Sequence, residues 1–262
     1  MPNIESTEKV ARKLLPIIYV LDTSGSMAGD RIASVNEAMH DTVDVLKEVA
    51  ADNASAELKI GVLQFGTNAE WTTKNGFIFL EDYYWNDLKT GGLTSFGAAL
   101  TELNNKLSRK VWLSSDVGFK IPVIIFMTDG EPTDDYQKAL DKINESNKWF
   151  KVATKIGIAV GEDANRDVLA KIVGNQEAVI SVNDNETLKK LIRVVSVTAS
   201  MIGSKSRTDS DSQKEILDVI KGETKNDPIT TIPNIPEPEP KGDPDPLGTG
   251  IWDDDGNWDI WD

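Results

Sequence analysis

Apolar residues in this chain follow two alternating patterns up to about residue 203. Short continuous apolar runs are typical of strands buried on both faces, whereas apolar residues three or four positions apart are typical of helices that cover a sheet. The runs predict strands at 16–22, 56–66, 69–82, 120–130, 154–161 and 177–182. The spaced pattern predicts helices at 31–51, 96–107, 136–143, 166–173 and 188–202.

Strands that alternate with helices in this way indicate the α/β fold class, with a mostly parallel sheet covered on both faces. The predicted strands at 56–66 and 69–82 are joined by a short turn, which indicates one antiparallel edge strand. In parallel sheets of this kind, ligands bind beyond the carboxyl ends of the strands. Asp22 and Asp129 each follow an apolar run, so we expect both carboxylates at that edge.

By composition the chain divides into an N-terminal segment, a predicted α/β domain, a linker and a tail, at residues 1–13, 14–203, 204–227 and 228–262. The linker has weak periodicity and predicts one short helix near 216–220. The tail is rich in proline and acidic, with seven prolines in 228–246 and three tryptophans among five aspartates in 250–262. Such proline content favours an extended spacer.

The formal net charge is −15, and residues 227–262 contribute ten acids and one base to it. Nucleic acid and anionic membrane surfaces repel an acidic protein, so we expect neither as a partner. No apolar run approaches the ~20 residues of a membrane-spanning helix, and the N-terminal residues have no apolar block before a cleavage site. The chain has no cysteine, which excludes disulfides and thiolate chemistry and favours a reducing compartment. We therefore predict a cytoplasmic location without a secretory signal.

Five oxygen-bearing residues lie at predicted strand ends and helix entrances: Asp22, Ser24, Ser26, Thr94 and Asp129. The first three occupy alternate positions after a strand, and Thr94 follows a Gly-Gly pair before a helix. Oxygen donors without histidine or thiol suit Mg²⁺, with Mn²⁺ or Ca²⁺ as alternatives, better than zinc or copper. Each residue alone is explained equally well as a helix cap or a strand end. Together they predict a metal site.

The segments DTSGSM (22–27), GGLTSFGAAL (91–100) and FMTDGEPTDD (126–135) resemble the three metal-site segments of von Willebrand factor type A (VWA) domains. This resemblance covers about residues 14–203 and implies a Rossmann-like, doubly wound fold with a metal-ion-dependent adhesion site (MIDAS). The family pattern implies that the two serines coordinate the ion directly, as does Thr94 in the ligand-competent state, and that Asp22 and Asp129 act largely through water. The pattern also implies a protein partner whose Asp or Glu carboxylate completes the coordination of the ion.

Within the family, the chain resembles most the bacterial TerY/YegL-like branch. The resemblance lies in TDGEPTDD, in the insertion before the strand at 120–130, and in RVVSVTAS near the end of the domain. It implies a tellurite-resistance or stress-response system, or a related defence system, with a kinase and a phosphatase as partners.

An enzyme is one alternative. A phosphatase of the haloacid dehalogenase type needs a second carboxylate where Ser24 stands, and the chain has no phosphate-binding P-loop. His40 is the single histidine and fits a surface position, so a Ser-His-Asp triad is not predicted. Glu131 lies close enough in sequence to Asp129 to activate a metal-bound water, but Glu131-Pro132 also reads as a helix entrance. We therefore predict a protein that is not an enzyme.

The tail provides the other alternative. Aromatic and acidic residues on a proline spacer suit capture by a basic, grooved partner, and the chain would then be a scaffold with an idle metal site. A solubilising tail is the simpler explanation of the same composition. The tail carboxylates also suggest a third arrangement, in which they occupy the metal site of the same chain or of another subunit.

Overall fold

The computed structural model describes residues 11–162, 164–205, 209–223, 251–252 and 258–259. In this part of the chain the central element is a seven-stranded sheet with strands Leu14–Asp22 (β1), Glu57–Phe65 (β2), Ala69–Trp71 (β3), Ile78–Phe79 (β4), Val123–Thr128 (β5), Thr154–Val160 (β6) and Val179–Val182 (β7). The strand order is β3-β2-β1-β5-β6-β7, and β4 also pairs with β2. The strands β2, β1, β5, β6 and β7 are parallel, which confirms the predicted class of sheet.

Helices cover both faces of this sheet: Asp30–Asp52 (α1), Phe96–Lys106 (α2), Tyr136–Ser146 (α3), Lys148–Val152 (α4), Arg166–Val173 (α5), Asn185–Gly203 (α6) and Asp209–Glu223 (α7). The strand β1 shows why two layers form, because its nine residues are all buried and alternate between the faces. Ile17 and Tyr19 join the core cluster under α1 and α6, whereas Ile18 and Val20 join the cluster under α2, α3 and α5. The fold is therefore doubly wound.

The antiparallel edge of the sheet consists of two short strands. The segment predicted as one strand at 69–82 turns at Gly76, whose φ of 117° belongs to a region that favours glycine. On either side of this turn, β3 and β4 each pair with β2 in the antiparallel direction. The edge thus has the predicted direction but is interrupted by a turn that the apolar pattern of the segment did not reveal.

The helix α7 is longer than the short helix predicted near 216–220. It packs against α6 and β6, and the Gln213 side chain donates a hydrogen bond of 2.6 Å to the carbonyl oxygen of Lys155. Lys205 and Glu215 add an ion pair of 3.4 Å between the end of α6 and α7. Packing on the sheet domain therefore continues beyond residue 203.

Residues 231–262 form a second compact unit. Its described part is a pair of short antiparallel strands, Ile251–Trp252 (β8) and Trp258–Asp259 (β9), in which Trp252 pairs with Trp258. The extended proline-rich spacer predicted at 228–246 lies outside the described residues, as does most of the N-terminal segment 1–13. Among the described helices, none is both long and apolar enough to cross a bilayer.

Candidate metal centre

The two predicted carboxylates lie side by side at the carboxyl ends of neighbouring strands. Asp22 is the last residue of β1, and Asp129 directly follows β5. Because β1 and β5 are parallel neighbours with Leu21 opposite Met127, both chains leave the sheet at the same edge. From β1 the chain crosses to β2 on one side, while β5 lies on the other, so this edge is a topological switch point.

The loop after β1 connects the two carboxylates through a line of hydrogen bonds. The backbone N–H of Ser24 donates to Asp22 Oδ1 at 2.8 Å. The hydroxyls of Ser24 and Ser26 lie 3.0 Å apart, and Ser26 donates to Asp129 Oδ1 at 2.7 Å. Residues 103 positions apart in sequence are thereby joined at one point, and the alternate spacing of the serines directs both hydroxyls towards it.

Thr94 enters from the loop before α2, which is bonded to the first loop through its backbone. Gly91 N–H donates to the Thr23 carbonyl at 2.8 Å, and Gly25 N–H donates to the Gly92 carbonyl at 3.1 Å. Gly92 must be glycine here, since a Cβ on it would lie 2.1 Å from Thr67 Oγ1 in the loop after β2, and its φ is 80°. A Cβ on Gly91 would meet no atom within 4 Å, so only the second glycine of the pair is required by the packing.

The hydroxyl of Thr94 points towards the same place as that of Ser26. A Cβ built on Gly130 would lie 3.6 Å from Thr94 Oγ1 and 3.7 Å from Ser26 Oγ. The structure thus brings all five predicted residues to one edge of the sheet.

The loop between β5 and α3 supports Thr94 through contacts that the sequence analysis missed. Thr133 N–H donates to the Thr94 carbonyl at 2.9 Å, and Thr94 N–H donates to Thr133 Oγ1 at 3.2 Å. Asp134 accepts from the N–H groups of Gly97 and Ala98 at 2.9 and 3.0 Å, and so caps the start of α2. The sequence signal for this cap is the pair of acids that ends FMTDGEPTDD, but its partner helix lies more than 30 residues earlier.

Both carboxylates are buried, with 1% of Asp22 and 2% of Asp129 exposed. Burial raises the pKa of Asp22 because it disfavours the charged form. Hydrogen bonds from the Thr128 hydroxyl and from Ser24 oppose this rise, and the charge of Asp129 adds to it. Asp22 therefore has only neutral donors around it.

Asp129 differs from Asp22 because it has a cationic partner. The guanidinium of Arg31, at the start of α1, forms an ion pair with Asp129 Oδ2. Arg31 is not among the residues predicted from the sequence, although it lies five residues after Ser26. The sequence feature that could have indicated Arg31 is its position as a basic residue close to a motif of carboxylates and hydroxyls.

The residues fit a hard divalent cation by the chemistry of their donors. No cluster of three or more His, Cys, Asp or Glu side chains forms within the described residues, so a metal here would depend on two carboxylates and several hydroxyls. Such a donor set suits Mg²⁺ or Mn²⁺. The Thr94 residue is 6% exposed, and its hydroxyl lies near that of Ser26, so both could contribute neutral oxygens to the same ion.

The two residues considered for an enzyme, His40 and Glu131, form hydrogen bonds with side chains outside the five predicted site residues. His40 is exposed and its Nε2 lies 2.9 Å from Asp87 Oδ1, which confirms its surface position. Glu131 Oε1 accepts a hydrogen bond of 2.7 Å from the side-chain amide of Asn165, in the loop after β6.

Comparison with known proteins agrees with this fold. The family model of the von Willebrand factor type A domain matches residues 17–194, which is more than half of the chain. The chain belongs to the VWA domain family. Domains of this family are generally interaction modules without enzymatic activity. A search of curated proteins gave no match.

Three solved structures show the same fold at low sequence identity. The mussel byssus protein PTMP1 with a zinc-occupied MIDAS motif has 21% identity and a TM-score of 0.50 over 70% of this chain and 48% of its own. A VWA protein of Catenulispora acidiphila has 18% identity and a TM-score of 0.50 over 71% and 42%. The PilB minor pilin of Streptococcus sanguinis has 14% identity and a TM-score of 0.51 over 74% and 62%. The chain therefore spans less than two thirds of each.

Proposed function

We propose that the chain is a metal-dependent protein-binding module. Asp22, Ser24, Ser26, Thr94 and Asp129 would hold a divalent ion, whose chemistry is to accept a carboxylate oxygen from an Asp or Glu of a protein partner. The observation that carries this proposal is the meeting of two buried carboxylates, Asp22 and Asp129, with hydroxyls from two further loop positions, Ser26 and Thr94, at the switch point of the sheet. Carboxylate and hydroxyl oxygens in this arrangement are the hard donors that a divalent cation takes.

The donor set favours Mg²⁺ over softer ions, because every predicted ligand is a hard oxygen. The zinc-occupied MIDAS of the mussel protein supports divalent metal binding in this fold and makes zinc the competitor to be measured. The surroundings of Thr94 support a macromolecular partner. The preceding residue, Leu93, exposes 56% of its surface, and an apolar side chain at the rim of a polar site suits a protein surface.

Titration calorimetry of the full chain with Mg²⁺, Mn²⁺, Ca²⁺ and Zn²⁺ tests the metal site. We expect Thr94→Ala to weaken Mg²⁺ binding by about tenfold, because it removes one oxygen ligand and leaves the charges unchanged. Ser95→Ala is the matched control: Ser95 is also buried, but its hydroxyl donates to the Thr67 carbonyl at 3.0 Å. Equal affinities of the two variants, or no binding by the wild type, would contradict the proposed site.

The carboxylate partner requires a second measurement. We expect a peptide with a central Glu to bind in Mg²⁺ and not in EDTA, and the matching Gln peptide to bind in neither. Deleting residues 228–262 separates this mechanism from the scaffold alternative, in which the tail is the binding element. The same deletion also tests whether tail carboxylates mask the metal site, since the shortened chain would then bind the Glu peptide more tightly.

The comparisons do not support the narrower TerY/YegL-like placement. A stress-response setting, a kinase and a phosphatase as partners, and a cytoplasmic location remain predictions from the sequence.

A further inference from the structure

The contact between Arg31 and Asp129 bears on the metal affinity of the proposed site. Within the described part of the chain, Asp129 Oδ1 accepts a hydrogen bond from Ser26 and Oδ2 accepts one from Arg31. We infer that Arg31 is a built-in counter-cation, which neutralises Asp129 in the metal-free domain and competes with the divalent ion for this carboxylate. The inference rests on the proposed metal site.

The two donors to Asp129, Ser26 and Arg31, differ in whether they are compatible with a bound cation. A serine hydroxyl donates one hydrogen bond and still has lone pairs, so Ser26 is able to keep its bond to Asp129 and also bind an ion. A guanidinium has five donors and no lone pair, and it carries a positive charge. Arg31 therefore cannot ligate a cation, and its charge repels one. Of the two contacts, only that of Arg31 opposes metal binding.

The guanidinium of Arg31 has a defined position between two loops. Gly161 follows β6, and a Cβ on this residue would lie 2.7 Å from Nη2 and 3.2 Å from Cζ of Arg31. The φ of Gly161 is 85°, a conformation that other residues rarely adopt. Glycine at this position leaves the room that Arg31 needs beside Asp129.

The exposure of the pair allows Arg31 to leave. The Arg31 side chain is 33% exposed, whereas that of Asp129 is fully buried. Asp129 therefore cannot follow the guanidinium into water and needs another cation when Arg31 moves away. Arg31, in contrast, regains water when it is displaced. This difference makes exchange between Arg31 and a divalent ion physically reasonable, since the buried carboxylate is neutralised in both states.

Competition predicts that removing the charge of Arg31 strengthens metal binding. In the full chain, we expect Arg31→Met to lower the Kd for Mn²⁺ by about tenfold, because a unit charge close to the ion is removed. The Kd is obtained from the electron paramagnetic resonance signal of free Mn²⁺. Arg31→Lys retains the charge and should remain within about threefold of the wild type.

Thermal unfolding gives a second measurement, independent of metal affinity. In EDTA, the melting temperature of Arg31→Met should be below that of the wild type because Asp129 loses its counter-cation. Saturating Mn²⁺ should remove most of this difference in melting temperature.

Arg12→Met is the matched control. Arg12 also pairs with a carboxylate, Glu57, at 3.4 Å, and its side chain is 25% exposed, but it lies two residues before the start of β1, at the opposite end of this strand from Asp22. Its Kd for Mn²⁺ should equal that of the wild type.

An unchanged or higher Kd for Arg31→Met would overturn the inference, since Arg31 would then only support the loop or orient Asp129 for the ion. A melting gap that persists in saturating Mn²⁺ would have the same meaning. If the wild type and Arg31→Met both fail to bind Mn²⁺, the proposed metal site fails as well. If the wild type binds and Arg31→Met binds equally, only the role of Arg31 is rejected.

Discussion

Each end of the sheet contains a buried charged residue, Lys155 at one end and Asp22 at the other, and the surroundings of the two charges differ. At the amino end of β6, Lys155 is 9% exposed and its ammonium group donates to the carbonyls of Phe150 and Ala153 at 2.8 and 3.2 Å. These carbonyls belong to the end of α4, where a positive charge is favourable. At the carboxyl end of β1, Asp22 is buried more deeply, and the pKa of its carboxyl group is raised by that burial.

The difference separates a charge that the chain itself stabilises from a charge that burial disfavours. Lys155 uses its hydrogen atoms on carbonyls that would otherwise lack donors, so its charge stabilises the turn between α4 and β6. Asp22 receives hydrogen bonds from neutral groups only, and Asp129 adds a second negative charge beside it. A raised pKa means that the folded chain disfavours the ionised form, which an external cation would reverse.

The strongest test of this comparison is Asp22→Asn. Because a neutral amide replaces one of two carboxylates, we expect Mg²⁺ affinity to fall by about 100-fold or more in calorimetry. The metal-free domain should be as stable as the wild type or more stable, since the change removes a charge that burial disfavours. Asp41→Asn, on the exposed face of α1, controls for the loss of one negative charge. A marked loss of stability with intact metal binding would make Asp22 a structural residue like Lys155.

The opposite result is expected for Lys155→Met. The carbonyls at the end of α4 lose their donor, so the free energy of unfolding should fall by about 2 kcal/mol in urea denaturation. Mg²⁺ affinity should not change, because Lys155 lies at the other end of the sheet. Lys151→Met, an exposed lysine of α4, provides the reference for a surface substitution. A change in metal affinity would show that the two ends are coupled.

Asp184 provides a contrast with Asp22, because it is an exposed carboxylate that accepts a hydrogen bond from the backbone. We expect a smaller effect on stability when it is replaced. Asp184 caps α6 by accepting from Thr187 N–H at 2.8 Å, and this hydrogen bond lowers the pKa of Asp184. We expect Asp184→Ala to reduce the free energy of unfolding by about 1 kcal/mol at pH 7. Because the folded pKa is lowered, the contribution of the ionised cap is complete above the unfolded value of about 3.9 and is lost as pH falls through the folded pKa.

Urea denaturation between pH 7 and about pH 3 measures this dependence. The difference between wild type and Asp184→Ala should shrink on acidification, and Asp184→Asn should retain its cap throughout because an amide oxygen accepts at any pH. A difference that stays constant with pH would show that the charge of Asp184 has no part in capping.

The elements that local patterns specify could be predicted from the sequence. Strand β1 has nine consecutive buried residues, and its end at Asp22 follows from the change to small polar residues. Helix α5 begins and ends where its apolar spacing does, at Arg166 and Val173, with Gly174 in the left-handed conformation after it. In contrast, the break between β3 and β4 depends on a turn at Gly76 inside a segment with strand-like composition, so the pattern alone suggested one strand.

By itself, the sequence determined the fold class and proposed five candidate site residues, because apolar spacing and the DxSxS, Thr and Asp positions are local features. Only the tertiary structure decided which other groups meet them. Asp134 caps a helix that starts 38 residues earlier in the chain, and Arg31 reaches a carboxylate 98 residues away. Such contacts depend on the strand order and on side-chain direction, which no spacing in one segment records. The charge balance at this edge of the sheet is therefore a property of the folded chain.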